Sequence, residues 1–333
     1  MLQANSRIRI FLSRHLFAYL AALALLVVVL AFFLARQPLH ESWQVFDRSL
    51  ILPVLALSLF NYFLRFLKWD FLLKSLKIRV PVVSNARIYF SCLTMVVTPA
   101  RLGEIYKLVF LRRNHGHSIQ STTPALLVDR ITDAFALMLL ALAGIGRGQK
   151  NLQPRMLALL LLTLLCGVLL GRPRVQQMLL RLLHKIPWTA KRADALSESL
   201  RDGARLFSTA KLIPALLMSL GAWFAECVGL YLILVGLGTP LPLMQASWIY
   251  AGSTIAGNLT FMPGGLVGTE AVLFGVLRQT GIPSSSATAA TLLVRGATLW
   301  FAVLLGLVVT FTSRRDLRWK ELREETDHYS SSP

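Results

Sequence analysis

Thr98–Glu104 reads TPARLGE and Met262–Glu270 reads MPGGLVGTE, two related stretches some 160 residues apart. Each follows a small-and-polar apolar stretch. Each precedes a helix-like segment carrying one arginine, LLVDR ending at Arg130 and LLVR ending at Arg295. Pro99 to Arg130 is 31 positions and Pro263 to Arg295 is 32, so proline, glycine, glutamate and arginine recur in the same order at nearly the same spacing. Internal repeats interrupted by Gly and Pro point to binding sites in membrane transporters, because two equivalent halves can rock about one site between them.

Working outward, the composition places that repeat in a membrane. The 333-residue chain is 55% hydrophobic and only 15% charged, with a mean hydropathy of +0.59. That is too apolar for a soluble globular protein. Apolar runs near the ~20 residues a crossing helix needs predict full spans at about 16–35, 50–67, 123–146, 154–171, 210–237 and 285–312. Arg7, Arg9 and Arg14 before the first run resemble the flank of a signal peptide. The run is too long for one, and no small-x-small cleavage site follows, so it reads as an uncleaved helix.

A net charge of +19 invites a nucleic-acid reading, but the positions of the charges oppose it. Nine Lys/Arg against three acids lie between Arg172 and Lys211. Residues 65–87 hold Arg65, Lys68, Lys74, Lys77, Arg79 and Arg87 against Asp70, and the tail adds Arg314, Arg315, Arg318, Lys320 and Arg323. The connections at 238–247 and 279–286 have no basic residue. Basic residues collect in cytoplasmic loops, where they meet anionic lipid headgroups. The expectation is a bacterial inner-membrane protein with a cytoplasmic N-terminus (1–15), one membrane domain (16–312) containing a cytoplasmic basic loop (172–209), and a cytoplasmic tail (313–333). The loop at 147–155, with Arg147, Lys150 and Arg155, falls outside in this scheme and dissents from it.

Familiar soluble chemistries lack their residues. Cys92, Cys166 and Cys227 sit in apolar segments without paired spacing. His115 and His117 lack carboxylate or cysteine partners for a metal. GxxxxGK[ST], GxSxG and HExxH are all missing from the sequence. No cofactor, metal or catalytic residue is expected, and no oligomeric state can be assigned.

Residues 85–98 and 102–111 are short apolar pieces on either side of the first motif. Each covers ~15–21 Å as a helix against a hydrocarbon core of ~30 Å. They predict a hairpin that enters and leaves by one face, turning at Pro99–Gly103. The second copy reads alike: 243–262 descends, Pro263, Gly264, Gly265 and Gly268 break it, and 269–280 returns. Backbone left unpaired at such turns is tolerated at membrane depth only under cover of protein or a water-filled cavity. Three spans separate the hairpins, and an odd number places them on opposite faces. The expected architecture is all-α and polytopic: about six full spans plus two opposed re-entrant hairpins, forming an inverted repeat with its motifs near 85–146 and 243–312.

Ionisable residues then mark the interior. Glu104, Glu270, Arg130, Arg295, Asp129, Asp133 and Glu226 lie in or beside apolar stretches, where a charge costs ~2.5–3.5 kcal/mol even on a lenient scale. One Glu and one Arg per half predict Glu104 and Glu270 near Arg130 and Arg295, with the pairing left open. Such pairs pin helices together and equally line a cavity for a charged headgroup or a proton. Asp129 and Asp133 share a helical face, and Arg130 and Asp133 are spaced to pair along the helix. Asn258, Thr254 and Ser253 match Ser91 and Thr94 as small polar residues for helix packing or path lining.

TPARLGE followed by LLVDRITD, then PGGLVGTE with a later Arg, resembles the membrane region of bacterial lysylphosphatidylglycerol synthases and their stand-alone, flippase-like relatives, over about residues 15–315. The resemblance implies movement of a lipid between leaflets. It directs attention to Pro99, Arg101, Gly103, Glu104, Asp129, Arg130, Pro263, Gly264, Gly265 and Glu270. The synthases add a soluble aminoacyl-transfer domain after this region, whereas here a charged tail ends at Pro333, so lysyl-lipid synthesis is not expected. Translocation of a lipid or lipid-linked molecule is the leading reading, with membrane lipids as partners and no nucleic acid. In it Glu104 and Glu270 receive a cation or proton, and Arg130 and Arg295 hold phosphate. The rivals are an intramembrane lipid-modifying transferase and an accessory subunit of a separate lipid or glycan synthase.

Overall fold

The computed structural model describes residues 39–98, 102–144, 206, 209–260 and 263–313. The expected spans at 16–35 and 154–171, the basic loop and the tail beyond Ser313 lie outside these residues, as do Pro99 and Arg101. The described residues are helical and contain no strand. In chain order the helices are α1 (Leu39–Val45), α2 (Ile51–Ser75), α3 (Val82–Ser91), α4 (Leu102–His115), α5 (Ile119–Gly144), α6 (Thr209–Gly236), α7 (Leu243–Leu259), α8 (Gly268–Gln279), α9 (Ser284–Arg295) and α10 (Phe301–Thr312). Among the described residues, three helical runs are long and apolar enough to cross a membrane: Arg48–Ser75, Ala210–Gly236 and Ser284–Thr312. The 26-residue α5 matches them in length but carries Asp129, Arg130 and Asp133.

The outer face is apolar, and the buried interior combines apolar clusters with polar and charged side chains. Along α2 the exposed residues include Leu52, Leu59, Phe60 and Phe63, while Ser58, Asn61, Lys68 and Asp70 are buried. Leu217 of α6 and Leu304, Val308 and Phe311 of α10 likewise face outward. In water such a surface would be an oversized apolar patch; against lipid tails it is the matching one, and the polar interior is where charges belong. The most extensive helix contact joins α2 to α6, and α7 lies against both α5 and α8.

α2 corrects one reading of the sequence. Arg65 and Lys68 were assigned to a cytoplasmic loop, but the helix continues to Ser75. Its apolar residues carry on through Phe66, Trp69, Leu72 and Leu73, all buried. The helix closes where Lys77 takes a left-handed backbone (φ 62) and the Ile78 amide donates to the Leu73 carbonyl at 3.0 Å, a Schellman-type end. Lys74, Lys77, Arg79 and Arg87 remain for the cytoplasmic-flank argument.

The helices flanking the two motifs are interrupted as the glycines and prolines suggest. α3 tightens into a 3-10 segment at Cys92–Met95, and Thr98 folds back to donate both its amide and its hydroxyl to the Met95 carbonyl. α7 ends at Leu259, and Pro263–Gly265 forms a tight turn before α8. Gly264 and Gly265 take φ of 61 and 65, and Val267 takes 67. For a β-branched residue that backbone is strained by ~1–3 kcal/mol, a cost usually held in place by surrounding structure at functional sites.

Gly257 of α7 permits the return of the chain. A Cβ there would sit 1.9 Å from Thr269 Oγ1 and 2.9 Å from the Thr269 amide. Gly257→Val is expected to cost ~1–3 kcal/mol through overpacking, seen as a lower melting temperature in detergent. An unchanged melting temperature would contradict this close approach of α7 and α8.

Candidate functional site

α2, α3, α4, α5, α6, α7, α8 and α9 all contribute to one interior cavity of about 110 Å³. It has room for several waters or a phosphate-sized group, but not for a lipid. Its wall carries Arg65, Lys107, Arg130 and Arg295 with Glu104 and Glu226, among the polar side chains of Asn61, Tyr62, Tyr89, Tyr250, Ser253, Thr254 and Asn258.

The two Glu–Arg pairs form within each half of the sequence. Arg130 Nη1 lies 2.7 Å from Glu104 Oε1, and Arg295 Nε donates to Glu270 Oε1 at 2.6 Å. Both glutamates fall in the first turn of a helix, α4 and α8 respectively, where the helix dipole favours a negative charge. Arg295 also donates through Nη2 to the Gly264 carbonyl at 2.9 Å. One guanidinium therefore ties the broken turn to α9 and satisfies backbone that the break leaves open. Glu270 Oε2 is buried without a hydrogen-bond partner. Directly after Arg295 the helix widens into a π-type turn at Gly296–Trp300, and the Tyr62 hydroxyl donates to the Thr298 carbonyl there at 2.6 Å. Single π-turns inside helices are frequent at functional sites.

Asp129 and Asp133 take a different place from the one expected of them. Both were expected on the cavity wall, and both lie behind it, 2% and 4% exposed. Between them sits the fully buried Lys68, whose ammonium is 2.8 Å from Asp129 Oδ1 and 2.6 Å from Asp133 Oδ1. It also donates to Ser219 Oγ at 2.9 Å and to the Asp129 carbonyl at 3.1 Å. Arg65 Nη2 reaches Asp133 Oδ2 at 3.0 Å, and Arg130 contacts both aspartates. This network clamps α2, α5 and α6 together through charges that are costly to separate.

Of the expected site residues, Glu104, Arg130, Arg295, Asn258, Gly103 and Gly264 line the cavity. Glu270 stands beside it through Arg295. Gly265 belongs to the turn, and Gly268 opens α8. His115 and His117 are elsewhere, within reach of Ser84 Oγ and the Arg79 carbonyl. Sequence reasoning missed Arg65, Lys68 and Lys107. The available signal for the first two was the apolar run that continues past them to Leu73. Glu226, noted only as a charge in an apolar stretch, accepts from Ser58 Oγ at 3.3 Å.

An apolar exterior, helices of crossing length and a buried charged interior define a helical integral membrane protein. The sequence matches the lysylphosphatidylglycerol synthase TM region over residues 19–306. The chain belongs to that family. It is similar to a UPF0104 membrane protein of Methanocaldococcus jannaschii, 22% identical over 66% of this chain and 94% of the relative. It is also similar to a UPF0104 membrane protein of Methanothermobacter thermautotrophicus, 21% identical over 88% of this chain and 92% of the relative. Both relatives are archaeal.

Proposed function

We propose that this protein moves a lipid or lipid-linked molecule between the leaflets of the cytoplasmic membrane, through the polar cavity between two halves of an inverted repeat. The observation that carries the reading is the equivalence of the two pairs: Glu104–Arg130 and Glu270–Arg295 each join the first turn after a helix break to the following long helical segment. Discontinuous helices meeting at a central site are how secondary transporters build their binding sites. The hairpins enter from opposite faces, with six full spans around them and both termini cytoplasmic. The family's synthase name supports a lipid substrate. In the small cavity, the arginines are held by carboxylates that an entering headgroup can replace.

The experiment is reconstitution in liposomes with a panel of labelled aminoacyl-lipid, glycolipid, polyprenyl-phosphate and hopanoid-type molecules. The expected result is ATP-insensitive transport of at least one class. Absence of transport for every class, together with lipid modification that needs Glu104 and Glu270, would favour a transferase instead.

A further inference from the structure

The cavity is not symmetric in charge. Four cations and two carboxylates line it, and the cations differ in how they are held. Arg65, Arg130 and Arg295 each have a carboxylate within 3.0 Å. Lys107 is the exception. It is 4% exposed, and no carboxylate of the described residues lies within 4.0 Å of it. Its ammonium rests instead on two ring faces, 4.6 Å from the Trp69 centroid and 4.9 Å from that of Tyr89. Aromatic faces stabilise a cation by ~0.5–2 kcal/mol, less than a desolvated charge forfeits.

The repeat makes this residue conspicuous. Lys107 stands three positions after Glu104 on α4, and the position three after Glu270 on α8 is Leu273. Both line the cavity. The halves therefore share a Glu–Arg pair and differ here, with a cation on one side and an apolar side chain on the other. An anion entering beside an arginine must compete with that arginine's carboxylate. An anion entering beside Lys107 forms a new pair without breaking one. Arg130, with its Nε buried and unbonded, lines the same cavity and gives the anion a second cation.

We propose that Lys107 anchors the phosphate group of the transported molecule, an oxyanion seated beside Arg130 in the first half, with Leu273 leaving the second half free of that charge. This deepens the translocation reading and rests on it for the word "transported". The anion site itself does not need transport. A phosphate ester suits the cavity because it brings a full negative charge and several acceptor oxygens in a volume the cavity holds, and it is the anion membrane lipids carry.

The test uses the full chain in mild detergent, with binding read by thermal shift and thermophoresis. The probes are short-chain phosphatidylglycerol, diacylglycerol with the same chains, and inorganic phosphate. Wild-type protein is expected to bind phosphatidylglycerol and not diacylglycerol. Lys107→Met should weaken that binding by roughly tenfold or more, the scale of one hydrogen bond to a charged group. Lys107→Arg should retain most of it, and Arg79→Met, at an exposed position, should retain all of it. Binding of inorganic phosphate alone, lost in Lys107→Met, would keep the anchor and make free phosphate its occupant. Equal binding of diacylglycerol and phosphatidylglycerol by the wild type would overturn the proposal even if Lys107→Met failed to fold. Unchanged binding in Lys107→Met would overturn it too. Lys107-dependent binding without liposome transport would sink translocation alone; transport with Lys107-independent binding would sink the anchor alone.

Discussion

Asp133→Ala is expected to be the most damaging single substitution among the described residues. Its carboxylate is touched by Lys68, Arg65 and Arg130, at 2.6, 3.0 and 3.4 Å. Removing it leaves Lys68, which has no exposed surface, with Asp129 alone, and Arg65 with no carboxylate. Breaking a buried pair from one side costs ~3–5 kcal/mol, a large share of an ordinary total stability of ~5–15 kcal/mol. The predicted outcome is a melting temperature in detergent lower by about 4–7 °C and poor recovery of monodisperse protein. Lys68→Met added to Asp133→Ala should recover part of the loss, because the stranded ammonium leaves with its partner. An Asp133→Ala protein melting close to wild type would contradict the clamp.

The second large effect concerns pairing within each half. Arg295→Ala removes Glu270's cation and the donor to the Gly264 carbonyl together. Arg130→Ala removes one cation from Glu104 and loosens the aspartates. Each should cost ~3–5 kcal/mol. Double-mutant cycles separate contact from general damage: Glu104–Arg130 and Glu270–Arg295 should couple by ~0.5–3 kcal/mol, whereas Glu104 with Arg295 should be additive within ~0.5 kcal/mol. Coupling only in the crossed combinations would show that the halves exchange partners.

These effects fall on residues the sequence marks unevenly. The helix interruptions were legible because proline and glycine break helices for local reasons. The segments flanking the motifs came out close to expectation, with α4 at Leu102–His115, α7 at Leu243–Leu259 and α8 at Gly268–Gln279. That Glu104, Glu270, Arg130 and Arg295 are partners was legible from their repeated order. Which Glu meets which Arg was not, because that depends on how α4 and α8 lie against α5 and α9. The clamp was hidden for another reason. Arg65 and Lys68 are more than 60 residues from Asp129 and Asp133, and at the end of an apolar run two cations read as a cytoplasmic flank. Only the buried aspartates turn that flank into an interior. Lys107 stands three residues after Glu104, a spacing that suggests a pair along the helix; its ammonium rests on two aromatic faces from α2 and α3 instead, which the sequence does not show.

The central claim is that the charged cavity carries a lipid across, and glutamate-to-glutamine exchange in liposomes tests it most directly. Glu104→Gln and Glu270→Gln keep side-chain size and hydrogen bonding but remove the negative charge that each arginine faces. Reconstituted at matched amounts and shown to be folded and inserted, both proteins are predicted to lose transport of the lipid class that the wild type moves. Wild-type transport rates in both variants would contradict the account, because translocation would then proceed without the cavity's paired charges.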